Sequence, residues 1–296
     1  MRFSVSSRTL SGPQFMLLSA LGFAIMGALV KVAGAAGVPL LQIIFVRALI
    51  SLLLSLGDTW RLGLNPLGTY RWLLLTRGIV GFLSLSCVYY AMLHLPYAEA
   101  TVLQYLHPIF TAILALLFLA EIPAKRTIVC VLFSIAGLLV LLSPALSPDN
   151  LAALPLTAVL AGVAGAFGSG VAYTVVRKLA GHEHPSVIVV YFPLVCLPAT
   201  LLLGGVDFIW PDALTLLVLL GVGVFTQVGQ VTLTYAMAVD TASRATSLSY
   251  VQIIFATVLG VIFFGEIPAL TTYIAAGLIL SGALINTLYS REKAAA

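Results

Sequence analysis

The sequence predicts an all-α membrane protein with ten transmembrane helices arranged as two inverted five-helix repeats. Three observations carry that reading. Of 296 residues, 61% are hydrophobic and 8% charged; ten apolar segments follow one another; and a block of the first half recurs 145 residues later. A soluble domain is about 45–50% apolar and about 25% charged, so this chain cannot cover its apolar surface with its own polar residues, and the bilayer is its solvent. The apolar runs are continuous over about 18 residues or more rather than alternating over about ten, which selects helices over barrel strands.

A spanning helix needs about 20 mainly apolar residues. The first segment covers 14–36. Arg2 and Arg8 ahead of it and Ala33-Gly34-Ala35-Ala36 at its end loosely resemble a cleavable signal, but the run is too long for a signal core and holds Lys31, so it is expected to remain as a helix. The second segment, 39–57, carries Arg47, and about a dozen residues connect it to the third, 71–94, which carries Arg77. In the fourth, 96–119, Thr101, Gln104, Tyr105 and Pro108 share a helical face. Glu121-Ile122-Pro123 ends it, because a proline restricts the residue before it and starts the next helix, 125–144. The sixth segment, 154–179, presents Gly162, Gly165, Gly168, Ser169 and Gly170, a small-residue face suited to close helix contact. The seventh covers 185–204. In the eighth, 211–238, Gly223, Gln227, Gln230 and Thr234 recur at three and four residues; the ninth, 241–264, carries Thr246, Ser249 and Tyr250; and the tenth, 268–289, follows Glu266-Ile267.

The repeat aligns Tyr90-Ala91-Met92 with Tyr235-Ala236-Met237, Tyr105 with Tyr250, Ile109-Phe110 with Ile254-Phe255, and Glu121-Ile122-Pro123-Ala124 with Glu266-Ile267-Pro268-Ala269. A shift of 147 also matches Lys31 and Phe45 to Lys178 and Phe192. The halves are therefore expected at 14–144 and 154–289. With five helices each, the second copy enters the membrane inverted, and the loop charges agree: Lys125-Arg126 follows the first Glu-Ile-Pro-Ala block, Leu270-Thr271 the second. With the N-terminus inside, eleven bases fall on the cytoplasmic side and none in the outer loops, so both termini are expected in the cytoplasm of a cell inner-membrane protein. Inverted halves around a midplane site are a construction of secondary transporters.

These residues resemble the EamA branch of the drug/metabolite transporter superfamily, bacterial ten-helix proteins with two EamA repeats. The features carrying the resemblance are Phe45-Val46-Arg47, Tyr90-Ala91-Met92, Ala100-Thr101, Pro108-Ile109-Phe110, Glu121 and Gly137 with their second-half counterparts. The resemblance implies transport of amino acids, aromatic metabolites, vitamins such as riboflavin, S-adenosylmethionine, metallophores or drugs, through a cavity lined by the first, third, fourth, sixth, eighth and ninth segments. One departure is Ile253 where the first repeat has Pro108, so a proline bend in the fourth segment is expected to lack a mirror in the ninth.

A cation near the middle of a span costs roughly 2.5–3.5 kcal/mol on insertion scales, which singles out Lys31 and Arg47. They either line a water-accessible cavity and attract a substrate carboxylate or phosphate, or, for Lys31, snorkel to the outer interface or pair with Glu99, and for Arg47, cap interhelical carbonyls. Arg77 reads chiefly as an interface anchor. Gln104, Tyr105, Gln227, Gln230 and Tyr250 are either solute contacts or interhelical hydrogen-bond partners. His107, near midspan, is either a carrier of a coupling proton or a neutral histidine bonded to a neighbouring helix. The solute-binding candidates are thus Lys31, Arg47, Arg77, Gln104, Tyr105, His107, Gln227, Gln230 and Tyr250.

No Asp or Glu lies deep in a span, so a carboxylate proton relay lacks its main component, and the first segment lacks the midspan glutamate of small multidrug antiporters. The expected function is secondary transport of a small zwitterionic or anionic metabolite by alternating access, with a coupling proton or counter-substrate as a possible partner. Alternatives are export of drugs or aromatic or cationic compounds, a channel, or an intramembrane enzyme. No HExxH or GxSxG motif supports the enzyme and no charged ring or filter loop the channel. No cofactor is expected. Cys87, Cys130 and Cys196 lie in apolar stretches and read as packing residues, and the 14 bases form no run longer than a pair, which excludes a nucleic-acid groove.

Overall fold

A computed structural model describes residues 10–94, 103–143, 155–204, 208–265 and 270–292. Arg2, Arg8, Glu99, Thr101, Asp149, Asp207, Lys293 and the Glu266–Ala269 block lie outside the described residues. The elements are α1 (Gly12–Ala35), α2 (Leu40–Arg61), α3 (Arg71–His94), α4 (His107–Leu119), α5 (Lys125–Leu142), α6 (Leu156–Ala180), α7 (Pro185–Gly204), α8 (Ala213–Val239), α9 (Ala242–Ser247), a 3₁₀ turn at Leu248–Tyr250, α10 (Val251–Phe264) and α11 (Leu270–Glu292). Among the described residues there is no strand, and seven helices are long and apolar enough to cross a membrane. Exposed leucines, isoleucines and phenylalanines cover their outward faces, such as Leu53, Phe118, Leu202 and Phe263. Trp60 and Trp72, at the facing ends of α2 and α3, are almost fully exposed, as is Trp210 before α8, the placement of aromatic anchors at membrane interfaces.

The helices pair across the two halves. α1 packs along α8 and α3 along α6; α2 packs along α7 and α5 along α11. Small residues permit these approaches. A Cβ on Gly137 of α5 would lie 2.9 Å from the Ala275 carbonyl of α11, and one on Gly282 of α11 would lie 3.1 Å from the Cys130 carbonyl of α5. Gly282 and Ala275 stand 145 residues after Gly137 and Cys130, so each contact is the other's repeat mate. The α3–α6 and α1–α8 pairs correspond as helices, and each is joined by a serine on a glycine carbonyl: Ser84 donates to Gly165 at 2.7 Å, and Ser19 to Gly229 at 2.8 Å. The glycine face of α6 is used for packing, Gly165 and Gly168 against Ser84 and Val88 of α3, and Gly170 against Phe110 of α4.

Two predicted spans are broken. In the fourth, Leu103-Gln104 are helical, Tyr105-Leu106 form a turn, and α4 begins at His107. Pro108 has no N–H to donate and its ring would clash with the Gln104 carbonyl of a continuous helix, so the chain turns before it. The expectation that the ninth span would lack this break is corrected: it is interrupted by the 3₁₀ turn at Leu248–Tyr250, without a proline. Around it Thr246 donates to the Ala242 carbonyl (2.8 Å), Ser247 to Arg244 (2.9 Å) and Ser249 to Thr246 (2.7 Å), so these buried hydroxyls are satisfied locally. The equivalent ends of α4 and α10 also match, since Ala120 and Gly265, 145 residues apart, both adopt left-handed backbone with φ of 54° and 63°.

Candidate functional site

On α2, the buried residues Arg47, Ser51, Ser55 and Thr59 recur every four residues and form a polar stripe that faces α7 and α8. The Gln227 amide of α8 fits into it, its Oε1 accepting from Ser51 (2.5 Å) and its Nε2 donating to Ser55 (2.7 Å). Gln227 is thus engaged in holding α2 against α8. Above it, the Arg47 guanidinium is 3% exposed, donates from Nη1 to the Tyr89 hydroxyl at 2.8 Å, and lies 5.6 Å from the centroid of the Phe192 ring.

Arg77 of α3 reaches the same ring. Its guanidinium carbon is 4.9 Å from the Phe192 centroid, and Nη2 donates to Gln230 Oε1 of α8 at 3.0 Å. The interface-anchor reading of Arg77 is corrected: the residue is 3% exposed, and its charge is turned into the bundle against a neighbouring helix rather than toward water. Two glycines make this possible. A Cβ on Gly78 would lie 2.7 Å from the Tyr191 carbonyl, and one on Gly81 would lie 2.6 Å from Arg77 Nη1 and 2.9 Å from Phe192 Cδ2. Both positions must lack a side chain for α7 to come close and for Arg77 to stack on Phe192.

Two buried guanidiniums therefore share one aromatic ring, an arrangement stabilised by the ring's quadrupole. Among the described residues no carboxylate lies within 4.0 Å of either. Arg47 Nε and Arg77 Nε and Nη1 are buried without a hydrogen-bond partner. Buried charges are ordinarily paired, and here three guanidinium nitrogens on two cations stay without an acceptor among the described residues.

A second cluster gathers at the two breaks. The repeat mates Tyr105 and Tyr250 stack on each other with centroids 5.8 Å apart. His107 lies 6.1 Å from Tyr105 and meets Tyr173 of α6 edge-on at 5.1 Å. His107 Nδ1 and the Tyr250 hydroxyl are buried without a hydrogen-bond partner. Gln104 is half-buried beside the turn. Lys31 is exposed near the end of α1 and lies outside the buried clusters; Glu99, its suggested partner, is outside the described residues.

Sequence reasoning missed Phe192 as the shared ring, Tyr89 as a partner of Arg47, and Gly81. The Gly78/Gly81 spacing and the four-residue recurrence of Arg47, Ser51, Ser55 and Thr59 were signals for the last and for the α2 face; nothing local marked Tyr89.

The end of the bundle where α2 finishes and α3 begins is tied by buried polar contacts. Glu183 Oε1 accepts from the backbone N–H of Thr69 (2.5 Å) and Tyr70 (2.6 Å), and Ser186 donates to Asp58. Burial pushes the His184 imidazole below its ordinary range, with the Asp58 carboxylate acting in the opposite sense. Glu121 receives Arg177 Nε at 2.6 Å and the Ala242 N–H at 2.9 Å, while Arg177 Nη1 donates to the Met237 carbonyl at 2.8 Å. Glu121 thus joins α6 to the end of α8 and the start of α9, a structural role.

The model of the EamA-like transporter family matches residues 10–143 and again 156–288. The chain is 31% identical to the pseudopaline exporter CntI of Pseudomonas aeruginosa over 93% of its own length and 95% of the relative's. It is 27% identical to a riboflavin transporter of Vibrio cholerae, over 98% of this chain and 97% of that one. One crystal structure, 21% identical, superposes with a TM-score of 0.81 over 95% of this chain and 98% of its own, which shows the fold. The chain belongs to the EamA-like transporter family, and is a multi-pass membrane transporter of small organic solutes rather than an enzyme.

Proposed function

We propose that the protein carries a small anionic or zwitterionic metabolite and that Arg47 and Arg77 receive its negative group. The observation that carries this reading is the pair of buried guanidiniums on Phe192 with three unpartnered nitrogens and no carboxylate within 4.0 Å among the described residues. Their field attracts anions and repels organic cations, which disfavours a cationic drug as solute. Gln230 orients Arg77, and the aromatic cluster of Tyr105, Tyr250, Tyr173 and His107 supplies apolar wall.

Access alternates by movement of the cross-half helix pairs, the halves at about 14–144 and 154–289 exchanging conformations. The stacking of Tyr105 on its own repeat mate supports a pivot there, because exchanging the conformations of the halves maps that contact onto itself, whereas α1–α8 and α3–α6 exchange with each other. The chain lies in the inner membrane with both termini in the cytoplasm, a placement supported by the basic loops. A coupling proton, if one is used, has His107 as its candidate carrier.

The test is uptake into proteoliposomes. Arg47→Ala is expected to abolish transport of the anionic solute with expression and melting temperature retained; unchanged uptake overturns the assignment.

A further inference from the structure

The arginine pair carries two positive charges, and this bears on how many negative charges the solute brings. The guanidinium carbons lie 5.6 Å and 4.9 Å from one ring centroid, so they are separated by no more than the two distances taken together, 10.5 Å. Both residues are buried, and each touches a different neutral partner, Tyr89 for Arg47 and Gln230 for Arg77. Unused donors remain on both side chains, Nε of Arg47 and Nε and Nη1 of Arg77. They come from different helices, α2 and α3, so the donors belong to two separately held groups.

In a low-dielectric interior, one bound carboxylate leaves a net positive charge buried, and the remaining guanidinium repels its neighbour. Two carboxylates on one molecule, each facing one guanidinium, neutralise the site and use donors on both arginines. A planar guanidinium matches a carboxylate with paired N–H···O bonds, so separate carboxylates use this geometry better than a single shared oxygen. We infer that the preferred solute is a dicarboxylate, with one carboxylate facing Arg47 and the other Arg77. This rests on the arginine pair being the solute site, as proposed above.

The test is a thermal-shift titration of the purified, delipidated full chain with α,ω-dicarboxylates from malonate to pimelate, the monocarboxylates of equal length, and inorganic phosphate. At least one dicarboxylate is expected to bind tenfold or more tighter than its monocarboxylate partner. Arg47→Gln and Arg77→Gln should each weaken dicarboxylate binding tenfold or more and remove its advantage over the monocarboxylate of equal length. Arg47→Lys and Arg77→Lys keep the charge, should retain the dicarboxylate preference in part, and stand in if a glutamine variant fails to fold. Equal binding of mono- and dicarboxylates, or tightest binding of phosphate, overturns the two-carboxylate assignment while leaving the anion site standing. Binding of no anion overturns both.

Discussion

The two halves of this protein agree in how they pack and differ in the charged and polar side chains they bury. Gly137 on Ala275 and Gly282 on Cys130 are the same contact made twice, and the α3–α6 and α1–α8 pairs are each joined by a serine hydroxyl on a glycine carbonyl, Ser84 on Gly165 and Ser19 on Gly229. The two buried arginines obey no such rule. The position 147 residues after Arg47 is Leu194, and that 145 after Arg77 is Val222, while Gln227 and Gln230 correspond to Phe82 and Leu85. Packing has kept the duplicated pattern because a close backbone approach demands a small residue on each copy. The buried charges have diverged: the first half supplies both guanidiniums, and the second supplies the ring and the amide that contact them.

The largest effect expected from breaking this asymmetry is at Gly81. Gly81→Ala places a methyl against Arg77 Nη1 and Phe192, and should cut transport more than tenfold with a stability loss of about 1–3 kcal/mol from overpacking. The equivalent residue of the second half is Thr226, whose buried hydroxyl has no hydrogen-bond partner, and Thr226→Ala should leave uptake near wild type. Equal effects in a proteoliposome assay would show that the two positions do the same work.

The helix contacts come next. A Cβ on Gly165 would meet the Val88 backbone nitrogen at 2.9 Å, whereas one on Gly229 meets the Phe23 ring, which can turn aside. Gly165→Ala is therefore expected to destabilise by about 1–3 kcal/mol and Gly229→Ala by less, as read from melting in detergent. At the left-handed caps the comparison inverts. Ala120 adopts a conformation that glycine enters without penalty, so Ala120→Gly should stabilise and Gly265→Ala destabilise, each by about 1 kcal/mol. Opposite signs at matched positions are what the repeat requires.

The smallest effect is a pH dependence. The His184 imidazole is held below its ordinary value, so the unfolded chain binds the proton more readily; stability rises with pH through the ordinary histidine range and is lost as pH falls below about 6.5. Melting curves at pH 7.5 and 5.5 should show a drop that His184→Gln reduces.

Much of the fold was legible before any coordinates. Composition and the length of the apolar runs imply helices in a bilayer, because lipid admits only structures that satisfy their backbone internally. The recurrence of Tyr-Ala-Met and Glu-Ile-Pro-Ala implied the repeat, and a cation midway along α2 marked Arg47. The break in the ninth span was not legible from proline placement, since the 3₁₀ turn at Leu248–Tyr250 forms where the repeat has Ile253 in place of proline.

Sequence alone thus determined that the chain is a duplicated helical membrane protein, because hydropathy and repeat identity are properties of the chain taken in order. Only the tertiary structure decided that Arg77 turns inward, that Arg47 joins it on Phe192, and that Gln227 is spent on Ser51 and Ser55. Those outcomes depend on which helices approach closely enough to exclude water. That closeness is set by glycines on one helix facing side chains from the other half, a coincidence in space that no spacing along the chain encodes.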